Sequence, residues 1–254
     1  MPDIVVETVG KVVTVTIDRP PVNVLTLATY EEIADTFDAI GLRRDVNCAV
    51  FTGRGSKAFC AGLDLKEFLA AKLEDDPRRA AIVRRTFASI RHCAIPVVAA
   101  VNGPALGAGC VLASVCDIRL ASDNATFGLP EVNVGRCGGT AHMARHLPQG
   151  VLRRMFFTGL PITVLEAHRW GFVDEIVSGS ELAAKAMALA ELIASKAPLG
   201  LRMGKAAMNE TECLPVEEGY AAEQRYSTKL MATDDAREAT RAVVEKRKPV
   251  FVGR

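Results

Sequence analysis

The sequence predicts an α/β fold with a strand-containing core and a helical C-terminal part. Short apolar runs alternate with amphipathic helical segments through the first half of the chain. From Ser180 to Lys248 the apolar residues recur at helical spacing almost throughout. The 254 residues are 49% hydrophobic and 24% charged, which is enough to bury one large core.

The N-terminal segment predicts a β-hairpin, a helix and a buried strand. IVVETVGKVVTVTIDRP alternates apolar and polar residues in two strands that meet at Val9–Gly10, and Pro20 and Pro21 end it. TYEEIADTFDAI follows, with Thr29 and Glu32 at the spacing of a capping box and apolar residues at helical intervals. NCAVFTG then predicts a short buried strand.

The middle of the chain passes twice more from strand to helix. RGSKAFCAGLDLKEF predicts a glycine-containing loop that enters a helix near Asp64. RRAAIVRRTFASIRHC predicts an amphipathic helix that ends before Ile95–Pro96. PVVAAVNG predicts a strand that leads into the apolar segment GPALGAGCVLASVCD, and CDIRLAS and NATFGLPEV predict two short strands.

Helices predominate in the rest of the sequence. GGTAHMARHLP, VLRRMFFTG and TVLEAHRWG have helical spacing, and Thr163 and Glu166 stand at capping-box spacing in the last of them. The helical run from Ser180 to Lys248 completes the chain. No internal repeat and no low-complexity linker divides it.

Composition excludes several classes of protein. The net charge is +1 and the one basic block is EKRKP, which argues against nucleic acid as a partner. No apolar run reaches the roughly 18 residues of a membrane span, and MPDIVVETVG lacks the features of a signal peptide. The seven cysteines are scattered without a C-x-x-C pair, so we expect reduced thiols and no metal site. We expect a soluble, cytoplasmic protein.

Two glycine-containing turns share one arrangement. CAGLD (60–64) follows the strand CAVFTG, and LGAGC (106–110) follows the strand VVAAVNG. The first N–H groups of a helix have no partner within the helix and can bind an anionic oxygen. Two such groups that converge would form an oxyanion hole. The alternative is that these glycines only permit close packing of helix and strand.

Five segments, in order, resemble the crotonase (enoyl-CoA hydratase/isomerase) superfamily over essentially the whole chain. They are KAFCAGLDLKEF, VNGPALGAGCVLASVCDIRLAS, ATFGLPEVNVGRCGGTAHMAR, TGLPITVLEAHRWGFVDEIV and EKRKPVF. The resemblance implies a ββα superhelix as core over residues 1–195. It also implies a C-terminal helical trimerisation region over 196–254, and a homotrimer or a dimer of trimers.

The resemblance further implies an enzyme that binds acyl-CoA and stabilises the enolate of the thioester. The backbone N–H groups of Leu63 and Ala108 take the positions of the family's oxyanion-hole donors. No cofactor is implied beyond the CoA moiety of the substrate, and neither nucleic acid nor membrane is implied as a partner.

The CoA moiety would lie along the loop from Lys57 to Lys66. The resemblance makes these two lysines candidate phosphate contacts and the backbone of Cys60 and Ala61 a candidate adenine site. Lys246, in EKRKP, matches a basic position from which some family members reach CoA across subunits.

Hydration of 2-enoyl-CoA in this family uses two glutamates, and this chain has one of them. Val111 stands where the first would be, and Glu131 matches the second. A single base suits the transfer of a proton from C2 to C4, so the resemblance favours Δ3-Δ2 enoyl-CoA isomerisation. A hydratase or dehydratase with other acid and base residues, or an acyl-CoA hydrolase, stays open. The retained Glu131 argues against a protein that only binds CoA or RNA.

Other residues near the two turns are weaker candidates. Asp64, Arg136, His142 and His146 could supply an acid or a base, and Arg136 could contact a polar acyl group or change the pKa of Glu131. Asp117 is shared with the family and is interpreted as structural. The predicted pocket walls are Phe68, Leu69, Val83, Val111 and Val132.

Overall fold

The computed structural model describes residues 2–254 and confirms the α/β prediction. Its strands are β1 (Ile4–Val9), β2 (Val12–Ile17), β3 (Cys48–Gly53), β4 (Val97–Val101), β5 (Ala105–Leu106), β6 (Ile118–Ser122), β7 (Thr126–Gly128), β8 (Ile162–Thr163) and β9 (Glu175–Val177).

Helices follow most of these strands and fill the C-terminal part. They are α1 (Leu27–Leu42), α2 (Leu65–Ala70), α3 (Asp76–Arg91), α4 (Ala108–Ser114), α5 (Thr140–Met143), α6 (Gln149–Thr158), α7 (Val164–Arg169), α8 (Leu182–Ala194), α9 (Pro198–Thr211), α10 (Val216–Met231) and α11 (Asp234–Val244). Short 3₁₀ helices cover Leu73–Asp75 and Pro130–Val134.

The larger sheet has the strand order β1-β2-β3-β4-β6-β9. The predicted hairpin is confirmed, since β1 and β2 are antiparallel with Val9 opposite Val12. The other neighbours are parallel. A parallel sheet covered on both faces needs apolar side chains on both, and every residue of β4 is buried. Helix α8 packs on one face through small residues such as Ala186 and Ala190.

A smaller sheet, with the order β5-β7-β8, positions the segments of interest. Strands β5 and β7 are parallel, with Leu106 opposite Gly128. Because parallel neighbours end at the same edge, the residues that follow them leave the sheet side by side. Isolated bridges add the earlier turn to this edge, pairing Cys60 with Ala105 and Leu25 with Leu63.

Two local predictions are wrong. Helix α1 begins at Leu27 with Thr26 as its N-cap, and Thr29 donates its backbone N–H to the Thr26 hydroxyl at 3.2 Å. Glu32 instead accepts from the N–H of Asp3, so no capping box forms at Thr29. The last three residues of the second predicted short strand, 130–132, belong instead to the 3₁₀ helix Pro130–Val134. The capping box of Thr163 and Glu166 is confirmed.

The C-terminal helices connect to the core through an ion pair whose lysine is buried. Lys205 of α9 is 3% exposed and donates to Asp117 at 2.7 Å and to the carbonyl of Ile95 at 3.1 Å. Asp117 also accepts from the N–H of Val97, which gives it the structural role predicted. The boundary at 195/196 falls between α8 and α9 and stays a prediction.

Two further features concern the chain within residues 2–254. Five of the seven cysteines are buried, and Cys137 and Cys213 are exposed. No helix there combines the length and the apolar character needed to cross a bilayer.

Candidate active site

A cleft of about 750 Å³ opens where the turns 60–64 and 106–110 meet the 3₁₀ helix Pro130–Val134. Most of its wall is apolar. The first turn and α2 contribute Ala61–Lys66 and Phe68, and the second turn with α4 contributes Gly107, Ala108 and Val111. The segment around the 3₁₀ helix contributes Pro130, Glu131, Asn133, Val134 and Arg136–Gly139. The other lining residues are Val24, Tyr30, Val83 and Phe87.

The first turn presents a free backbone donor at Leu63. Leu25 donates to the carbonyl of Gly62 at 2.8 Å and accepts from the N–H of Asp64 at 2.9 Å. The N–H of Leu63 lies between these two bonds and donates to no acceptor within residues 2–254. Asp64 then caps α2, because its carboxylate accepts from the backbone N–H groups of Lys66 and Glu67.

The second turn requires its glycines for packing. Gly107 has φ +55° and donates to the carbonyl of Gly128 at 2.9 Å. A Cβ on Gly109 would overlap the carbonyl oxygen of Cys60. The close packing considered as an alternative therefore explains Gly109. The N–H of Ala108, the first residue of α4, still donates to no acceptor among residues 2–254.

The two turns lie in contact, which is the condition that an oxyanion hole requires. A Cβ added to Gly62 would lie 3.5 Å from the backbone nitrogen of Ala108 and 2.8 Å from the carbonyl oxygen of Leu106. Only a glycine leaves room here, and its φ of +89° also favours glycine. The two unused N–H groups are thus brought to the same part of the cleft, at Leu63 and Ala108.

Glu131 extends from the 3₁₀ helix toward the second turn. A Cβ on Gly107 would lie 3.0 Å from its Oε1 atom. Its Oε2 atom is buried and has no hydrogen-bond partner within residues 2–254. Burial raises the pKa of this carboxyl above its usual value, because the charged form is poorly solvated. An unpartnered buried carboxylate oxygen at a cleft is an arrangement typical of a proton-transferring group.

Val111 occupies the position next to these groups with an apolar side chain. It is 2% exposed, lies one helical turn after Ala108 and lines the cleft. Gly139 packs on it, since a Cβ there would lie 2.7 Å from Val111 Cγ2. The carboxyl-bearing side chains that line the cleft are those of Glu131 and Asp64, and Asp64 already caps α2.

The candidate CoA contacts are only partly brought together. Lys66 and Ala61 line the cleft, whereas Lys57 and Lys246 are exposed outside its lining. Cys60 is buried, and its backbone already donates to Pro104 and accepts from Leu106. Its thiol accepts from the N–H of Gly62 at 3.4 Å.

The weaker candidates separate into two groups. Asp64 and Arg136 line the cleft, but His142 and His146 do not. His142 stacks edge-on against Phe87, and His146 is hydrogen-bonded to the Ser114 carbonyl at 2.9 Å. Burial lowers the pKa of both imidazoles, that of His146 to about 4, so both are neutral near pH 7. Within residues 2–254 no group of His, Cys, Asp and Glu is arranged to hold a metal.

The side chain of Arg136 contacts Asp76 and Phe68 rather than the carboxylate of Glu131, and its backbone N–H donates to the Glu131 carbonyl at 2.9 Å. Its guanidinium pairs with Asp76 at 2.9 Å and lies 4.8 Å from the centre of the Phe68 ring. The shift of the Glu131 pKa has burial as its cause, so the structure gives no support to Arg136 as the residue that changes it.

The structure removes some residues from the predicted cleft walls and adds another. Phe68, Val83 and Val111 line the cleft, but Leu69 and Val132 do not, and Leu69 is 88% exposed. Sequence reasoning missed Tyr30, which lies on the buried face of α1 and lines the cleft. Its position in the helical spacing is that of a core residue. The one signal in the sequence is its phenolic hydroxyl, a polar atom on an otherwise apolar helix face.

The chain is similar to known proteins over almost its whole length. The family model described as enoyl-CoA hydratase/isomerase matches residues 7–254. The short-chain-enoyl-CoA hydratase of Clostridium acetobutylicum is 35% identical over 97% of this chain and 96% of its own. The (7aS)-7a-methyl-1,5-dioxo-2,3,5,6,7,7a-hexahydro-1H-indene-carboxyl-CoA hydrolase of Mycobacterium tuberculosis is 35% identical, over 92% and 95%. The crystal structure of an enoyl-CoA hydratase from Bacillus anthracis superposes with a TM-score of 0.95 at 32% identity, covering 99% of this chain and 100% of the other.

Proposed function

The chain belongs to the enoyl-CoA hydratase/isomerase family, and from that premise we propose that it isomerises 3-enoyl-CoA to 2-enoyl-CoA with Glu131 as its single base. It has the crotonase fold and is an acyl-CoA enzyme of this family. The specific reaction is our proposal, and it rests on which polar groups the cleft contains.

The unpartnered Oε2 atom of Glu131 is the observation that carries the proposal. A thioester oxygen placed between the N–H groups of Leu63 and Ala108 accepts two hydrogen bonds, which stabilise negative charge on that oxygen. The α-proton of such a thioester is more acidic. Glu131, beside Gly107, is positioned to take it.

Proton balance then favours isomerisation. Glu131 removes a proton from C2, and the electron pair moves into the thioester as an enolate. The protonated Glu131 returns the proton to C4, so that the C3–C4 double bond becomes a C2–C3 double bond. Hydration needs a group that holds and activates water as well, and Val111 offers no polar atom for it.

The reaction requires no cofactor beyond the CoA moiety of the substrate, because the oxidation of C2 and the reduction of C4 cancel within the substrate and no external electron acceptor or donor is needed. In this proposal Lys66 and the backbone of Ala61, which both line the cleft, contact that moiety. Lys57 and Lys246 would contact it from outside, Lys246 across a subunit interface.

We further propose that the chain forms a homotrimer or a dimer of trimers. The C-terminal helices expose large apolar side chains, among them Val216 at 81% and Met231 at 76%. Apolar exposure of this extent is typical of a surface that another protein covers. Sedimentation analysis of the purified protein tests this, and a monomer at micromolar concentration contradicts it.

Hydration is the second candidate, because relatives such as the Clostridium acetobutylicum protein are named hydratases. Hydrolysis is the third, since the Mycobacterium tuberculosis relative is named a carboxyl-CoA hydrolase. Each would use the same oxyanion donors with water as a reactant.

Absorbance of the conjugated thioester distinguishes these reactions. We expect it to rise with 3-enoyl-CoA and to stay constant with 2-enoyl-CoA. Loss of absorbance with 2-enoyl-CoA and no release of free thiol would establish hydration and refute the isomerase proposal, whereas release of free thiol would establish hydrolysis. Glu131→Gln should lower turnover by about a hundredfold or more with unchanged CoA affinity. Glu223→Gln, on an exposed face of α10, is the matched control and should change neither.

A further inference from the structure

The phenol of Tyr30 is a second polar group of the cleft without a partner. Tyr30 is 2% exposed, lines the cleft, and packs edge-on against Phe87 with the ring centres 6.4 Å apart. Its carbonyl accepts from the hydroxyl of Thr86 at 2.9 Å. Within residues 2–254, Tyr30 forms hydrogen bonds only through its backbone, and the residue lines the cleft.

A buried tyrosine hydroxyl ordinarily has a hydrogen-bond partner, because leaving it without one costs free energy. Glu131 and Glu67 are the carboxylates that face Tyr30, and the free Oε2 atom of Glu131 forms no hydrogen bond with the phenol. Glu67 accepts from the N–H of Leu27 at 3.1 Å and pairs with Arg79 at 3.2 Å. A ligand that fills the cleft can therefore supply the partner of the hydroxyl.

The neighbouring charges narrow the chemistry of that partner. Glu131 and the Glu67–Arg79 pair are the charged groups that face the phenol. Burial raises the pKa of the phenol, so it remains protonated and acts as a donor. Since Arg79 is already paired with Glu67, an additional carboxylate would meet the charge of Glu131 without a free cation beside it. A neutral oxygen is the acceptor that this environment favours.

We propose that Tyr30 donates a hydrogen bond to a neutral oxygen on the acyl group of the substrate. The acyl group that this cleft selects is then one with a keto or hydroxyl oxygen rather than a plain hydrocarbon chain. This inference rests on the proposed function in so far as the ligand is an acyl-CoA. It does not depend on which reaction follows.

Binding of saturated acyl-CoAs tests the proposal without any turnover. Isothermal titration calorimetry compares three six-carbon acyl-CoAs, one unsubstituted, one with a keto oxygen and one with a hydroxyl, the oxygen being placed at C4 or C5. We expect an oxygenated ligand to bind the full chain about five- to tenfold more tightly than the hydrocarbon ligand. The keto and hydroxyl series show which oxygen is preferred.

Tyr30→Phe removes the hydroxyl alone and should reduce the preference to about one. Tyr30→Met, which also lacks a donor, should do the same. Tyr226→Phe is the matched control, because that hydroxyl bonds Glu210 on the surface and its loss should leave the preference intact.

Each other outcome is decisive. Equal affinities of the wild-type protein for all ligands, or a preference that survives in Tyr30→Phe, overturns the inference. If no acyl-CoA binds, the proposed function is refuted together with it. If the preference is found but no isomerisation occurs, only the isomerase proposal is refuted.

Discussion

At the scale of single residues, the cleft combines one carboxylate without a partner and glycines whose missing side chains let two backbones touch. Glu131 contributes a buried oxygen with no hydrogen bond, and Gly62 and Gly109 allow the turns that carry Leu63 and Ala108 to meet. The chemistry and the packing of this site therefore depend on different residues, which can be tested separately.

The pKa of Glu131 predicts the pH dependence of the reaction. Only the ionised carboxylate can accept a proton, and burial raises its pKa above the usual 4.5. The value of kcat/KM should therefore fall as pH is lowered, reaching half its maximum above pH 4.5. A pH profile with a non-titrating acyl chain measures this. A midpoint at or below the ordinary value, or the same acid limb in Glu131→Gln, contradicts the assignment.

Gly109→Ala should destabilise the protein by about 3 kcal/mol, because the new Cβ would overlap a backbone oxygen that cannot move easily. Gly204→Ala is the matched control: a Cβ there has open space in α9, and the change should stabilise by up to about 1 kcal/mol. Urea unfolding at one fixed protein concentration compares the two. Equal effects would show that close approach of Cys60 does not explain the glycine.

At the scale of secondary structure, a pair of short parallel strands determines where the chemistry lies. Strands β5 and β7 pair Leu106 with Gly128, so Gly107 and Pro130 follow them at one edge. The bridge from Cys60 to Ala105 adds the first turn beside them. Three segments far apart in sequence thus deliver Leu63, Ala108 and Glu131 to one cleft.

The capping box of α7 provides a stability test at this scale. Thr163 accepts from the N–H of Glu166 at 3.2 Å, and Glu166 accepts in return from the N–H of Thr163 at 3.0 Å. Thr163→Ala should cost about 1 kcal/mol of unfolding free energy. Thr240 is a solvent-exposed residue in the middle of α11, away from its ends. Thr240→Ala should not lower the free energy of unfolding, since alanine is the better helix former. Thermal or urea unfolding of both variants measures the two changes in unfolding free energy, and an equal change in both would contradict the role of the cap.

At the scale of the whole molecule, the C-terminal helices and the sheet are linked by the charge of Lys205. This side chain is 3% exposed and is surrounded by Asp117 and the carbonyls of Ile90 and Ile95. Burial of the Lys205 ammonium is compatible with a stable fold only while its carboxylate partner remains.

Asp117→Asn should therefore destabilise the protein by about 3 kcal/mol, because it leaves the buried ammonium without its counter-charge. Asp123→Asn, at an exposed position after β6, is the matched control and should change stability by less than about 0.5 kcal/mol. Urea unfolding gives both values. A small effect of Asp117→Asn would mean that the ion pair does not hold α9 to the core.

Much of the fold could be predicted because its signals are local. Alternation gave the β1–β2 hairpin, and the spacing of Thr163 and Glu166 predicted the start of α7. The same spacing at Thr29 and Glu32 failed, since Thr26 caps α1 and Glu32 bonds Asp3 instead. A capping motif states which residues could bond, and the neighbouring hairpin decides which of them do.

The sequence by itself determined most of the strand and helix segments, the family resemblance, and the presence of Glu131 with Val111 in place of the family's other glutamate. These follow from residue spacing and from the order of motifs along the chain. Only the tertiary structure decided that Gly109 serves the approach of Cys60, that Arg136 turns to Asp76, and that the Tyr30 hydroxyl lacks a partner. The physical reason is that hydrogen-bond partners and close backbone contacts join residues distant in sequence, and no periodicity along one chain records them.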